Sequence, residues 1–244
     1  MSELKVFGER VFNGTWPALM TRLKKDLTRQ GFHIYVTLNP QILTGCASDI
    51  RLSSYLKMAS CRIADGVGLT KAASWVYGVS IKRFTGIDFV EKILRDSSLS
   101  VYLVGSQDVV LQKAIQTIHS FPIHAQIVGS HHGYFKDNET DRVLKDISDK
   151  KPDIVLVGLG FPKQELFLLR AKQLLSSGVG IGVGGSFDVI SQTVVRAPLW
   201  IQNLGYEWLY RGLMSPKRLM TWSFMFSFVI MSVKTKYNYK RCCK

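Results

Sequence analysis

The segment VLVGLGFPKQE, Val155 to Glu165, decides the fold. An apolar run ends in Gly158 and Gly160, and Pro162 then opens a polar segment. That is the pattern of a buried strand, a tight turn and a helix start. Pro suits the first helical turn, and the free N–H groups behind it form a natural anion site. Gly158 and Gly160 let backbone come close to a ligand, and Gln164 offers an amide to polar ligand edges. The spacing is not the G-x-G-x-x-G dinucleotide fingerprint, because Phe161 to Gln164 supply no third glycine. Nor is it a P-loop, which needs G-K-[ST].

Working outward, the same alternation recurs. HIYVTLN (33–39), CRIA (61–64), VYLVGS (101–106), HAQIVGS (124–130), DIVLVGLG (153–160) and GVGIGVGG (178–185) read as strands. SDIRLSSYLKMAS (48–60), GIDFVEKILRDS (86–97), a stretch to about residue 119, and stretches near 138–150 and 163–177 read as helices. Buried strands separated by helices predict a mostly parallel α/β sheet with helices on both faces. In such sheets ligands bind outside the carboxyl ends of the strands. Thr37–Asn39, Asp65–Gly68, Gly105–Gln107, Gly158–Gln164 and Gly184–Asp188 should therefore converge.

Those strand ends carry the chemistry. ADGVGL (64–69) sets Asp65 at a strand end, as a general base, a ribose ligand or a helix cap. Thr37 and Asn39 lie two apart on one side of a strand end and suit a sugar or base, or simply a turn. KRFTGID (82–88) offers Arg83, a side chain able to clamp phosphate. GVGGSFD (182–188) is a second glycine-rich turn, with Gly185 and Asp188 as binding candidates. There is no D-x-D pair of the kind that holds a metal diphosphate, and DNE (137–139) reads as a solvated surface.

Composition sets limits. The chain has 244 residues, enough for one large domain with an appendage, and at 46% hydrophobic it can bury a real core. Net charge is +14, and residues from Arg211 onward hold +8 of it with no Asp or Glu. Such a tail seeks an anionic partner. Cys46, Cys61, Cys242 and Cys243 form no C-x-x-C and have no zinc spacing with histidine, so they read as reduced thiols. The N-terminus has charges at Glu3, Lys5, Glu9 and Arg10 and no signal-like segment, which predicts a cytoplasmic body.

Composition changes near Arg196, dividing the chain into a body, 1–195, and a basic and apolar helical appendage, 196–244. Within the appendage, Leu219 to Val233 is uncharged; as a helix it would span about 22 Å, too short for a bilayer core of about 30 Å. Lysines and an arginine flank it, so it could lie in the membrane interface, or else pack on the body.

In order, TLN, ADGVGL, RFTGID, VYLVGS, VGLGFPKQE, GVGGSFDV, RAPLW and GYEWLYR…SPKR make a set far more specific than any one. From about Thr37 to Arg218 the chain resembles the WecG/TagA/CpsF family of bacterial glycosyltransferases, glycosyltransferase family 26. The resemblance implies a Rossmann-like body, no cofactor and no required metal. It implies inverting transfer from a UDP-sugar to a sugar on undecaprenyl diphosphate, at the cytoplasmic membrane face, in cell-surface polysaccharide or teichoic acid synthesis. It makes Asp65 the catalytic base, puts Thr37, Asn39, Arg83 and Gln164 in the pocket, and gives Arg211 and Arg218 to the acceptor diphosphate. The donor is expected to be of the N-acetylmannosamine type, with glucose or glucuronic acid as alternatives.

Two departures stand out: LMTW follows Arg218 where the family often has further arginines, and Gln192 stands where it commonly has glycine. Three rival readings remain, one of them a non-catalytic relative of the family, which the intact Asp65 argues against. The missing third glycine counts against a nucleotide-dependent oxidoreductase. A nucleic-acid binder fits poorly because the charge adjoins an apolar aromatic segment rather than a polar face. No pattern specifies an oligomeric state.

Overall fold

The computed structural model describes residues 3–194, Pro198 and residues 222–242. A hairpin comes first, β1 (Glu3–Val6) and β2 (Glu9–Phe12), then α1 (Trp16–Leu27). The next units are β3 (His33–Leu38), α2 (Pro40–Ser48), α3 (Tyr55–Met58), β4 (Ala59–Ala64), α4 (Val67–Tyr77) and α5 (Gly86–Leu94). Then follow β5 (Ser100–Gly105), α6 (Asp108–His119), β6 (Gln126–His131), α7 (Thr140–Lys150), β7 (Ile154–Gly158), α8 (Lys163–Leu174), β8 (Val179–Gly182) and α9 (Ser186–Ile190). The last described element is α10 (Trp222–Cys242).

Eight strands form one sheet in the order β1-β2-β4-β3-β8-β7-β5-β6. Among the described residues only the β1–β2 pair is antiparallel. The mostly parallel α/β reading is correct. β3 is central because all six of its residues are buried, and it pairs with β4 on one side and β8 on the other.

The pleat sends alternate residues to two cores. Ile34, Val36, Leu38, Val155 and Val157 face a core closed by α2, α3, α4, α7, α8 and Phe228 of α10. Tyr35, Ile154 and Leu156 face the opposite core, closed by α1, α5, α6 and α9. Helices therefore cover both faces.

The helix expected over 48–60 is corrected. A short 3-10 turn (Ile50–Leu52) and α3 occupy its first part, and β4 begins at Ala59. Asp49 caps the turn, its Oδ1 accepting from the Arg51 N–H at 2.9 Å. Beyond Met58 the chain pairs with β3, Ala59 beside Ile34 and Cys61 beside Tyr35. Strand pairing there overrides the helical pattern.

α10 carries the described part of the uncharged tail segment, from Trp222, in a 21-residue helix about 31 Å long. No described helix is long and apolar enough to cross a membrane. One side of α10 packs on the body, with Phe228 only 3% exposed and its ring 5.3 Å from that of Phe7. Tyr239 meets Tyr77, and the Lys236 ammonium lies 4.0 Å from the Trp75 ring centre. The other side exposes Phe226, Val229, Ile230 and Val233. The boundary placed at Arg196 lies outside the described residues.

Candidate active site

The carboxyl ends of the strands carry two adjoining features. The first is a cavity of about 730 Å³ over the ends of β5, β7 and β8 and the loop after β6. Its lining includes Gly158, Gly160, Gly185 and Asp188, all singled out from sequence. Backbone of four glycines packs beneath it. A Cβ on Gly105 would sit 2.4 Å from the Gly158 carbonyl oxygen, and one on Gly158 would sit 2.8 Å from that of Gly184. A Cβ on Gly133 would lie 3.0 Å from the Gly105 Cα. Gly158 thus serves close packing between strand ends as much as ligand approach.

The walls hold polar groups. The Ser106 hydroxyl donates to Asp188 Oδ1 at 3.1 Å. Lys136 and Lys163 bring two ammonium groups, and Gln107, Tyr134 and Thr193 complete much of the rim. Lys136 and Tyr134 were missed in the sequence because they come from a polar surface loop with no motif. Lys163 stands inside the opening segment but was overshadowed by its neighbour. The helix-start N–H groups of α8 are less available than expected, since the Gln164 N–H donates to the Gly160 carbonyl at 3.0 Å. The Phe161–Pro162 peptide bond is cis. The Phe161 ring fills the space left by Gly45 of α2 and meets Phe224 of α10 at 5.4 Å between ring centres.

The second feature is the corner at the ends of β3 and β4. Asp65 is half-buried. Its backbone N–H donates to the Leu38 carbonyl at 2.8 Å, which fixes it beside β3. Its Oδ1 accepts from the Gly86 N–H at 3.3 Å, at the start of α5, where a negative group is electrostatically favoured. A Cβ on Gly86 would lie 3.5 Å from Thr37 Cγ2 and 3.6 Å from Asp65 Oδ2, so the three residues share one corner. Arg83 is delivered there by the loop before α5, because the next residue, Phe84, donates its N–H to Ala64 at 2.9 Å.

One hydrogen bond ties the corner to the end of β8, and a second holds the loop that runs from there into the cavity wall. The Thr37 hydroxyl donates to the Gly182 carbonyl at 3.1 Å. The Gly184 N–H donates to Gln164 Oε1 at 3.1 Å. Gln164 itself is buried, and its Nε2 donates to Glu165 Oε1 at 2.7 Å. Its amide therefore shapes the 182–185 loop, a role not visible in the sequence. Asn39 also does local work, since its Oδ1 accepts from the Ile42 N–H at 3.0 Å and caps α2.

Glu165 is fully buried. Burial pushes its carboxyl up to about 7, opposed by the hydrogen bond from Gln164. Cys46 of α2, also buried, is pushed up to about 12, and Tyr55 of α3 well above its usual range, each chiefly by burial. Gln192, at the position where the resembled family carries glycine, takes φ 57°, the left-handed region. Arg211 and Arg218 lie outside the described residues. Among the described residues no cluster of His, Cys, Asp and Glu is arranged to hold a metal ion.

Comparison with known proteins finds relatives over most of the chain. A Staphylococcus aureus (strain MW2) N-acetylglucosaminyldiphosphoundecaprenol N-acetyl-beta-D-mannosaminyltransferase is 30% identical over 223 residues, 89% of this chain and 87% of its own. A Bacillus subtilis (strain 168) protein of the same name is 32% identical over 185 residues, 75% of this chain and 72% of its own. The profile of the Glycosyl transferase WecG/TagA/CpsF family matches residues 4–241. With that match running through both the cavity and the Asp65 corner, the chain belongs to the WecG/TagA/CpsF family of glycosyltransferases.

Proposed function

We propose that this glycosyltransferase moves an N-acetylmannosamine-type sugar from a UDP-sugar to N-acetylglucosamine carried on undecaprenyl diphosphate. The observation that carries the reading is the juxtaposition of the cavity with the Asp65 corner, in a chain whose relatives are named as N-acetylglucosaminyldiphosphoundecaprenol N-acetyl-beta-D-mannosaminyltransferases. The nucleoside diphosphate occupies the cavity, near Lys136 and Lys163, with Gly158, Gly160, Gly185 and Asp188 along its walls. The sugar points toward Thr37, Asn39 and Asp65.

In the reaction, Asp65 takes the proton of the acceptor hydroxyl as that oxygen attacks the anomeric carbon. The carbon–oxygen bond to UDP breaks, and the electron pair leaves with the diphosphate. One displacement inverts the anomeric centre. No metal is invoked: Arg83 and the lysine ammonium groups meet the negative charge that develops on the leaving group. Arg211 and Arg218 hold the diphosphate of the acceptor.

The lipid-borne acceptor requires a membrane surface. The exposed side of α10, with Phe226, Val229, Ile230 and Val233 beside Lys234, supports docking on the inner, anionic leaflet.

The test is a panel of UDP-sugars offered with a synthetic prenyl-diphosphate N-acetylglucosamine acceptor, read by mass spectrometry. A disaccharide product with UDP-N-acetylmannosamine is expected. Product with only UDP-glucose or UDP-glucuronic acid would replace the donor assignment, and no product with any donor would overturn the reading.

A further inference from the structure

Glu165 is a buried carboxyl that the proposed reaction does not use. It is 0% exposed, and its Oε2 has no hydrogen-bond partner among the described residues. Burying a polar group without partners is costly, so a role that depends on the carboxyl is indicated. The Cys46 thiol from α2 and the Tyr55 hydroxyl from α3 lie close enough to sense its charge.

Its side-chain hydrogen bond to Gln164 is informative. Glu165 Oε1 accepts from Gln164 Nε2 at 2.7 Å. The other end of that amide, Oε1, accepts from the Gly184 N–H at 3.1 Å. A backbone N–H can only donate, so the amide oxygen must face Gly184 and the amide nitrogen must face away. Glu165 supplies the acceptor that makes this orientation the favoured one. Turned over, the amide would set a donor against the Gly184 N–H and an oxygen against the carboxyl.

The same amide lies against β8, since a Cβ on Gly182 would meet Gln164 Nε2 at 3.1 Å. Gly184 and Gly185 line the cavity, and the Gly182 carbonyl accepts from Thr37 at the Asp65 corner. We propose that Glu165 is a positioning residue for donor binding: through Gln164 it holds the 182–185 loop in the shape that receives the nucleoside diphosphate. This rests on the reading that the cavity takes that part of the donor.

UDP is the probe, titrated by calorimetry into the full-length protein. Glu165→Met fills the site with an adaptable apolar side chain and removes the acceptor. Losing one fixed hydrogen bond in the wall is expected to weaken UDP binding about tenfold. Glu165→Gln keeps an acceptor oxygen for Gln164 and is expected to bind within about threefold of the parent protein. In the transfer assay Glu165→Met should raise the donor KM while kcat stays within a few-fold, as for a residue that shapes binding rather than proton transfer.

Should Glu165→Met fail to fold, Gln164→Met breaks the next link and carries the same expectation. Unchanged UDP affinity in the folded acceptor-free variant would overturn the positioning role. Equal loss in Glu165→Gln and Glu165→Met would also overturn it. If the parent protein itself did not bind UDP, the cavity assignment would fall instead.

Discussion

The buried acid at Glu165 has a stability signature that is separate from its part in binding. Its carboxyl sits at about 7 in the folded chain against an ordinary value of 4.5. The folded state therefore holds this proton more tightly than the unfolded chain does. Its contribution is fully present below about pH 4.5 and is lost as pH rises through about 7. A displacement of that size corresponds to about 3 kcal/mol. Glu165→Gln cannot ionise and lacks this loss.

Urea unfolding of both proteins, followed by tryptophan fluorescence from pH 4.5 to pH 8, isolates the effect. The other carboxylates, among them Asp96 and Asp146 held low by Lys24 and Lys150, are common to both chains and cancel in the difference. The stability of Glu165→Gln relative to the parent should rise by about 3 kcal/mol across that range, levelling off above pH 8. A difference that stayed flat to within about 0.5 kcal/mol would show that the carboxyl is hydrated or paired, and the reasoning from its burial would fail.

Four further outcomes follow from the geometry. Asp65→Asn should lower turnover roughly 100- to 10,000-fold while UDP binding and thermal unfolding stay near the parent's; near-normal turnover would remove Asp65 as the base. Gly105→Ala places a methyl group 2.4 Å from the Gly158 carbonyl at a residue with φ 140°, and should cost at least about 2 kcal/mol by urea unfolding. Phe228→Ala should cost about 3 kcal/mol and make α10 sensitive to limited proteolysis; a resistant α10 would mean that this contact does not hold it. Replacing Lys234 and Arg241 with glutamate should weaken sedimentation with phosphatidylglycerol vesicles by at least about tenfold, on the order of 1 kcal/mol per basic residue lost, and leave UDP binding unchanged.

Particular residues show how far the sequence could be read. Gly158 and Gly160 after a run of buried aliphatics marked a strand end, and the ends of β5, β7 and β8 meet around one cavity while those of β3 and β4 form the corner beside it. Asp65 and Thr37 stood out for the same reason, as polar groups at the ends of apolar runs, and they share one corner. SDIRLSSYLKMAS misled because its amphipathic spacing is local, whereas the pairing of Ala59 with Ile34 joins residues far apart in the chain. The hairpin of β1 and β2 escaped notice because each strand is only four residues long and partly exposed. Lys136 and Tyr134 carried no motif at all, and reach the rim only because β6 ends beside it.

The sequence by itself determined the layered α/β class and the family, because these rest on periodicity and on ordered motifs. Only the tertiary structure decided what Gln164 and Glu165 do. One amide and one carboxyl adjacent in the chain read as two polar side chains at a helix start. Packing against β8 and α3 buries both, and a buried donor or acceptor must find a partner. That requirement turns Gln164 inward to the Gly184 N–H and makes Glu165 its anchor.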